Sequence, residues 1–279
     1  MRMLQNKGVR GTMALLVVLV AGCRDDAARH EAPEIAVTNS YLACAVQDLC
    51  GEGAGILCLA PPGMCPGHFD LSPAEVRQLA GCRMLLLFDF QQSVEKTLTR
   101  LRDKGLKTHL VRAPAALCIP ENYLGVCGEV SGILAEAYPE QAGPIRERLS
   151  AIRDRIEKLG VEMKDAVRES GAASAGVLVS NHQAGFAQWL GLDPVATFVG
   201  TDVETVSNID QCLKKAAAKG VRYVIANQQE GTALADALAE RLQVKAVVFS
   251  NFPRGGDDAT AFDLLVRENV RRLTEAVSR

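Results

Sequence analysis

The chain is predicted to be an α/β protein of two lobes with parallel central sheets, joined by one long rigid helix, with a ligand cleft between the lobes. Three observations predict it. After Pro33, short β-branched runs alternate with longer helical periods, the pattern of strands wound into a parallel sheet. The alternation occurs twice, in two blocks of the same rhythm. Between the blocks, residues 139–170 carry no strand signal, while Ile145, Leu149, Ile152, Ile156, Leu159 and Met163 recur at helical spacing among charges. A length of 279 residues, 48% hydrophobic and 23% charged, suits one large or two modest domains and excludes a disordered or collagen-like chain.

The amino terminus reads as an address. Arg2, Lys7 and Arg10 precede an apolar run over 13–20, and the small residues Ala21 and Gly22 stand directly before Cys23. That is the order of a secretory signal peptide, and the run is roughly half of the ~20 residues a membrane span needs. The residues before Cys23 resemble a lipobox, after which Cys23 carries the lipid. Residues 1–22 are therefore expected to be a lipoprotein signal peptide, and 23–33, polar and unpatterned, a tether. Removing 1–22 takes away three basic residues and no acidic one, leaving 28 Lys+Arg against 33 Asp+Glu.

The amino-terminal lobe is expected over 34–138, with strands at 34–37, 56–59, 84–88 and 108–111 and helices near 42–50, 73–80 and 91–104. The linking helix is expected over 139–170. Gly160 costs it up to about 1 kcal/mol relative to Ala, which makes it the place for a kink or break. The carboxy-terminal lobe, 171–279, is expected to hold strands at 176–179, 196–199, 223–226 and 246–249 and helices near 183–190, 209–219, 233–241 and 259–277. A long helix between two such lobes holds their separation nearly fixed and leaves the cleft between them as the natural ligand site.

Charge and composition narrow the ligand. With 31 Lys+Arg against 33 Asp+Glu there is no basic excess for a phosphate backbone, so nucleic acid is not an expected partner. Aromatic residues make up 5% of the chain, with a single Trp189, which supplies no stacking platform. A small or ionic ligand fits better. The chain shows no G-x-S-x-G elbow, P-loop, H-E-x-x-H helix or G-x-G-x-x-G turn. Ser180-Asn181-His182 could supply a nucleophile and base on paper, but no oriented acid follows at a known spacing. Binding rather than catalysis is expected.

Several segments, in order, resemble the periplasmic metal-ion substrate-binding lipoproteins of ABC transporters, the zinc and manganese uptake family. The run from Pro61 to Pro73 (PPGMCPGHFDLSP) looks like the family's PPGxDPHxYEPSP loop, and Asn181 to Ala187 (NHQAGFA) is similar to its HDAxGYFA helix start. Gly200-Thr201-Asp202-Val203-Glu204, Leu234 to Glu240, Phe249-Ser250-Asn251 and the Asn269 helix continue the match. The resemblance covers residue 34 to the end. It implies two lobes bridged by a long helix, a cell-envelope location and delivery of a metal ion to a membrane permease.

The family holds its metal with four side chains, usually three His, or two His and a carboxylate, and one Asp. Carried over residue by residue, Gly67 stands at the first His with His68 next to it, and Ala115 stands at the second, with Cys118 three residues on. His182 matches the third. The terminal Asp falls on Asn251, whose amide oxygen carries no formal charge. Cys65 stands where the family has an Asp that is not a ligand. Cys65, His68, Cys118 and His182 would make a soft tetrahedral set suited to Zn²⁺, the leading ion, or to Cu⁺, with Mn²⁺ a further alternative.

Three readings of Cys65 and Cys118 stay open: metal ligation, disulfide bonding and inert packing. An exported chain invites the second, through Cys44–Cys50, Cys58–Cys65 or Cys118–Cys127. His182 opens a helix after a strand, where open α/β sheets present residues to a cleft. Glu204 could add carboxylate oxygens there or cap a helix. Asn251, Gln183, Asn227 and Gln228 could instead hydrogen-bond a metal chelate or small organic ligand. The sequence-level expectation is a lipid-anchored, extracytoplasmic substrate-binding protein of an ABC importer for a transition-metal ion. The same scaffold binding a chelate or organic molecule, or serving as an adhesin or envelope interaction protein, is the alternative.

Overall fold

A computed structural model describes residues 34–51, 54–60, 71–91, 98–103, 105–200, 204–254 and 260–278. The expected signal peptide, the tether with Cys23 and the loop carrying Cys65 and His68 lie outside these residues. In the first lobe, β1 (Ile35–Val37), β2 (Ile56–Cys58), β3 (Met84–Phe88) and β4 (Lys107–Val111) form a parallel sheet in the order β2-β1-β3-β4. Helices α1 (Ser40–Cys50), α2 (Pro73–Leu79), α3 (Thr99–Arg102) and α4 (Pro120–Ala137) accompany it. The linking helix α5 (Ala142–Glu169) follows a short 3₁₀ turn at Pro139–Gln141. The second lobe repeats the plan: β5 (Gly176–Ser180), β6 (Asp193–Phe198), β7 (Tyr223–Asn227) and β8 (Lys245–Phe249) lie parallel in the order β6-β5-β7-β8. Its helices are α6 (Asn181–Trp189), α7 (Val206–Lys219), α8 (Ala233–Leu242) and α9 (Ala261–Ser278).

Local chemistry explains these elements. The Met-Leu-Leu-Leu-Phe run of β3 is buried throughout, as a central strand covered on both faces must be. Pro194 cannot donate to a ladder, and it sits on the edge strand β6, beside the register shift between Val177 and Leu178. The Asn39 side chain accepts from the Leu42 N–H at 3.0 Å and starts α1. Ser72 and Glu75 form a reciprocal capping box on α2.

Two expectations need correction. Gly160 does not break the linker: α5 runs 28 residues without interruption. A Cβ at Gly160 would stand 3.5 Å from the Trp189 ring and 3.8 Å from Pro120, so the glycine lets α6 and α4 pack closely on α5. Residues 120–137, which carry no assigned element in the sequence reading, form the 18-residue helix α4. Pro120 occupies its first turn, and Tyr123, Val126, Cys127, Val130 and Leu134 make its buried face. Gly125, Gly128 and Gly132 dilute that pattern. Within the expected helix 91–104, the described residues show a 3₁₀ turn at Asp89–Gln91 and the single turn α3.

The core positions the site. One apolar cluster runs from Val37, Leu86 and Phe88 of the first sheet, through Tyr123 on α4 and Ile152, Ile156 and Leu159 on α5, to Val177, Ile225 and Phe249 of the second. Smaller clusters cover the other face of each sheet. Across the shared core, Arg155 on α5 reaches Asp48 of α1 at 2.6 Å and Asp263 of α9 at 3.2 Å. Among the described residues, no helix is long and apolar enough to cross a membrane.

Candidate functional site

In each sheet the chain turns to opposite sides of one strand pair, β1/β3 in the first lobe and β5/β7 in the second, and ligands of open α/β sheets sit beyond the carboxyl ends at such points. Ser180 ends β5 and His182 and Gln183 follow it; Asn227 ends β7 and is followed by a 3₁₀ turn at Gln228–Glu230; beyond β8 stand Ser250 and Asn251. The segment after β4 brings Cys118 from the first lobe to meet them.

Cys118, Asn251 and Gln183 converge in one buried hydrogen-bonded cluster. The Cys118 thiol donates to the Ser250 carbonyl at 3.0 Å and lies 3.7 Å from Asn251 Oδ1. The Asn269 amide, which also donates to the Ser250 carbonyl at 2.9 Å, stands 3.5 Å from the sulfur. Gln183 Nε2 donates to Asn251 Oδ1 at 3.0 Å and to Asn227 Oδ1 at 3.1 Å. Gln183 is fully buried and its Oε1 has no partner. Burial pushes the Cys118 thiol well above its ordinary pKa, with the Asn269 amide opposing the shift. As it stands, the cluster is neutral and crosses from one lobe to the other.

His182 lies apart from this cluster, on the exposed side of the first turn of α6. Its Nε2 stands 3.4 Å from Glu230 Oε1, and the other carboxylate oxygen, Oε2, accepts from the Ser180 hydroxyl at 2.6 Å. Ser180 is thus engaged by Glu230 rather than by His182. Glu204 is occupied elsewhere: its carboxylate accepts from the Val199 and Thr205 N–H groups and from the Asn208 amide. Burial works against its charge, and those bonds outweigh it, so its pKa lies below the ordinary carboxylate value. The helix cap of α7 itself is Thr205.

The described cysteines Cys44, Cys50, Cys58, Cys82, Cys118, Cys127 and Cys212 are all free thiols. Cys44 and Cys50 stand six residues apart on α1, which turns them to different faces. Cys127 packs in the buried face of α4. Among the described residues, no three of His, Cys, Asp and Glu stand where they could share a metal ion. Cys65 and His68, two of the four expected ligands, lie outside those residues.

Glu230 went unnoticed in the sequence, as did the roles of Ser250 and Asn269. A signal for Glu230 existed: it is an acidic residue just past the strand that pairs with β5, at the switch point, close to the already considered Asn227 and Gln228.

Two lobes of identical strand order, a helical linker and a polar cluster at the strand ends give the architecture of a two-lobe α/β binding fold. The model of the family described as ZnuA, zinc-uptake complex component A, periplasmic, matches residues 35–276, and the chain belongs to that family. The fold is also that of a zinc-bound ZnuA deletion mutant, which is 15% identical with a TM-score of 0.72 over 88% of this chain and 98% of that one. FpvC from Pseudomonas aeruginosa in complex with Mn²⁺ is 13% identical, with a TM-score of 0.72 over 89% of this chain and 99% of that one. A cadmium-bound periplasmic metal-binding protein from Candidatus Liberibacter asiaticus is 12% identical, with a TM-score of 0.73 over 87% and 98%. No curated protein matches the chain at the level of sequence.

Proposed function

We propose that the protein is a lipid-anchored periplasmic substrate-binding protein of an ABC importer, anchored through Cys23, which captures a transition-metal ion, zinc first, and hands it to a membrane permease. The ion is taken as cargo by Cys118 and His182 together with Cys65 and His68. The observation that carries this reading is the meeting of Cys118 and Asn251, which stand in the segments corresponding to family ligand segments and touch across the lobes at 3.7 Å. Ligation requires the Cys118 thiol to lose its proton and its bond to Ser250, and a divalent cation supplies the charge that burial otherwise denies the thiolate. The relatives bind zinc, manganese and cadmium according to their descriptions, which supports a divalent cargo without selecting one.

The test is elemental analysis with parallel thiol counting on reduced protein purified without chelators. About one equivalent of zinc, lost in both Cys118→Ser and His182→Ala, is the expected result for a four-ligand site. A metal-free protein with all thiols reduced overturns it.

A second reading, a metal chelate or small organic ligand, draws on two observations. Gln183 Oε1 is a buried acceptor without a donor. A cavity of about 260 Å³ adjoins the cluster, lined in part by Gln228, Ser250, Phe252, Asn269 and Arg272. Native mass spectrometry of protein taken from its own envelope would retain that ligand's mass.

A further inference from the structure

The geometry points to Glu230 as a metal ligand that shares the ion with His182, a carboxylate supplied from the β7 side of the switch point. This assignment rests on the proposed metal cargo and adds the anionic oxygen that Asn251 no longer provides.

His182 Nε2 and Glu230 Oε1 are 3.4 Å apart. That is long for a hydrogen bond, which falls at roughly 2.7–3.2 Å. It is within ion-pair range and also matches the edge of a coordination tetrahedron, in which two ligand atoms each about 2.0–2.2 Å from zinc stand about 3.3–3.6 Å apart. The two atoms therefore have the spacing of adjacent ligands before any ion arrives.

The carboxylate is also held in place. Glu230 Oε2 is tied to the Ser180 hydroxyl at 2.6 Å, which leaves Oε1 as the atom offered to His182. Glu230 is only 18% exposed at its side chain, whereas His182 is 59% exposed, so the carboxylate forms the floor and the imidazole the accessible arm. Gly200 makes room for it: a Cβ there would stand 3.4 Å from Glu230 Cβ and 3.6 Å from Oε1. A carboxylate oriented by a hydroxyl beside an imidazole, at the end of two adjacent parallel strands, is a preorganised half-site for a borderline-soft divalent cation.

The full-length reduced chain, titrated with Zn²⁺ in a calorimeter and followed by ¹⁵N NMR of its histidines, tests the assignment. Glu230→Gln keeps an acceptor for Ser180 and a near-identical shape, and is expected to weaken zinc binding at least about tenfold, as losing even a supporting carboxylate does. His182→Ala is expected to do the same. Zinc is expected to shift Nε2 of His182, the nitrogen that faces Glu230. Metal on Nδ1 instead would make Glu230 a mere hydrogen-bond partner and overturn the assignment, as would Glu230→Gln binding within twofold of the wild type. Glu230→Asp, which retracts the carboxylate by one methylene, guards against a folding defect: it should fold and still lose affinity. A wild-type chain that takes up no zinc defeats the cargo reading and this assignment together, whereas a zinc-binding wild type matched by Glu230→Gln defeats this assignment alone.

Discussion

Asp48 shows how one residue ties elements from both lobes together. Its carboxylate, 1% exposed, accepts from Arg155 at 2.6 and 3.1 Å and from the Tyr123 hydroxyl at 2.7 Å. The same Tyr123 ring stacks on Phe262 of α9 with 3.9 Å between centroids. Asp48→Asn removes the buried carboxylate charge that faces the Arg155 guanidinium and is expected to cost about 3 kcal/mol. Tyr123→Phe keeps the stack and removes only a hydrogen bond to a charged acceptor, at about 1.5–3 kcal/mol. Urea midpoints with unchanged slopes measure both. Asp48→Asn costing less than Tyr123→Phe would show that Arg155 finds compensation elsewhere. The thiols obey the same arithmetic in reverse: burial raises the pKa of Cys44, Cys118 and Cys127, which makes each a packed hydrophobe until the fold opens or a cation takes the proton's place.

At the scale of elements, α6 approaches the segment preceding α4 closely. A Cβ on Gly185 would stand 2.9 Å from Ala116 Cβ, inside any ordinary contact. Gly185→Ala therefore sets two effects against each other. The helix gains up to about 1 kcal/mol of propensity, while overpacking costs about 1–3 kcal/mol. Overpacking is expected to win, with a lowered urea midpoint that Ala116→Gly in the same chain restores. A stable single variant would mean that the segment yields freely and that Cys118, two residues further on, is not held. Such contacts mark the limit of what the sequence discloses. Strand β3 was legible because a strand buried on both faces leaves an unbroken apolar run. Helix α4 was not, since Gly125, Gly128 and Gly132 interrupt its apolar rhythm. Within the site, Cys118, Asn251 and Gln183 were nameable from their places after strands and from the family resemblance. The Ser180–Glu230 bond spans 50 residues and depends on β5 lying beside β7, which no local pattern reveals.

For the whole molecule, the question is whether the two lobes behave as two bodies. Domains with separate cores unfold separately, whereas one core gives one transition. Here the inner faces of both sheets join a single cluster through α5, and Ile156 sits fully buried in it. Arg155, one residue before, holds α1 and α9 from the same helix. Aromatic contacts follow the same path, with Tyr41 of α1 lying 5.4 Å from Tyr123 and 5.8 Å from Phe262 between ring centroids. A linker so embedded cannot act as a hinge without breaking the core, so the proposed cargo would enter by local movement of side chains. Scanning calorimetry of the protein is expected to show one transition with equal calorimetric and van't Hoff enthalpies. Ile156→Ala, at about 2–5 kcal/mol for a buried truncation, should move that transition down as a whole by about 2–4 °C per kcal/mol for a chain of this class. Two resolved transitions, or a shift of one lobe's signal alone, would mean that the shared cluster does not couple the lobes, and a hinge within α5 would then have to be part of how the ligand is captured.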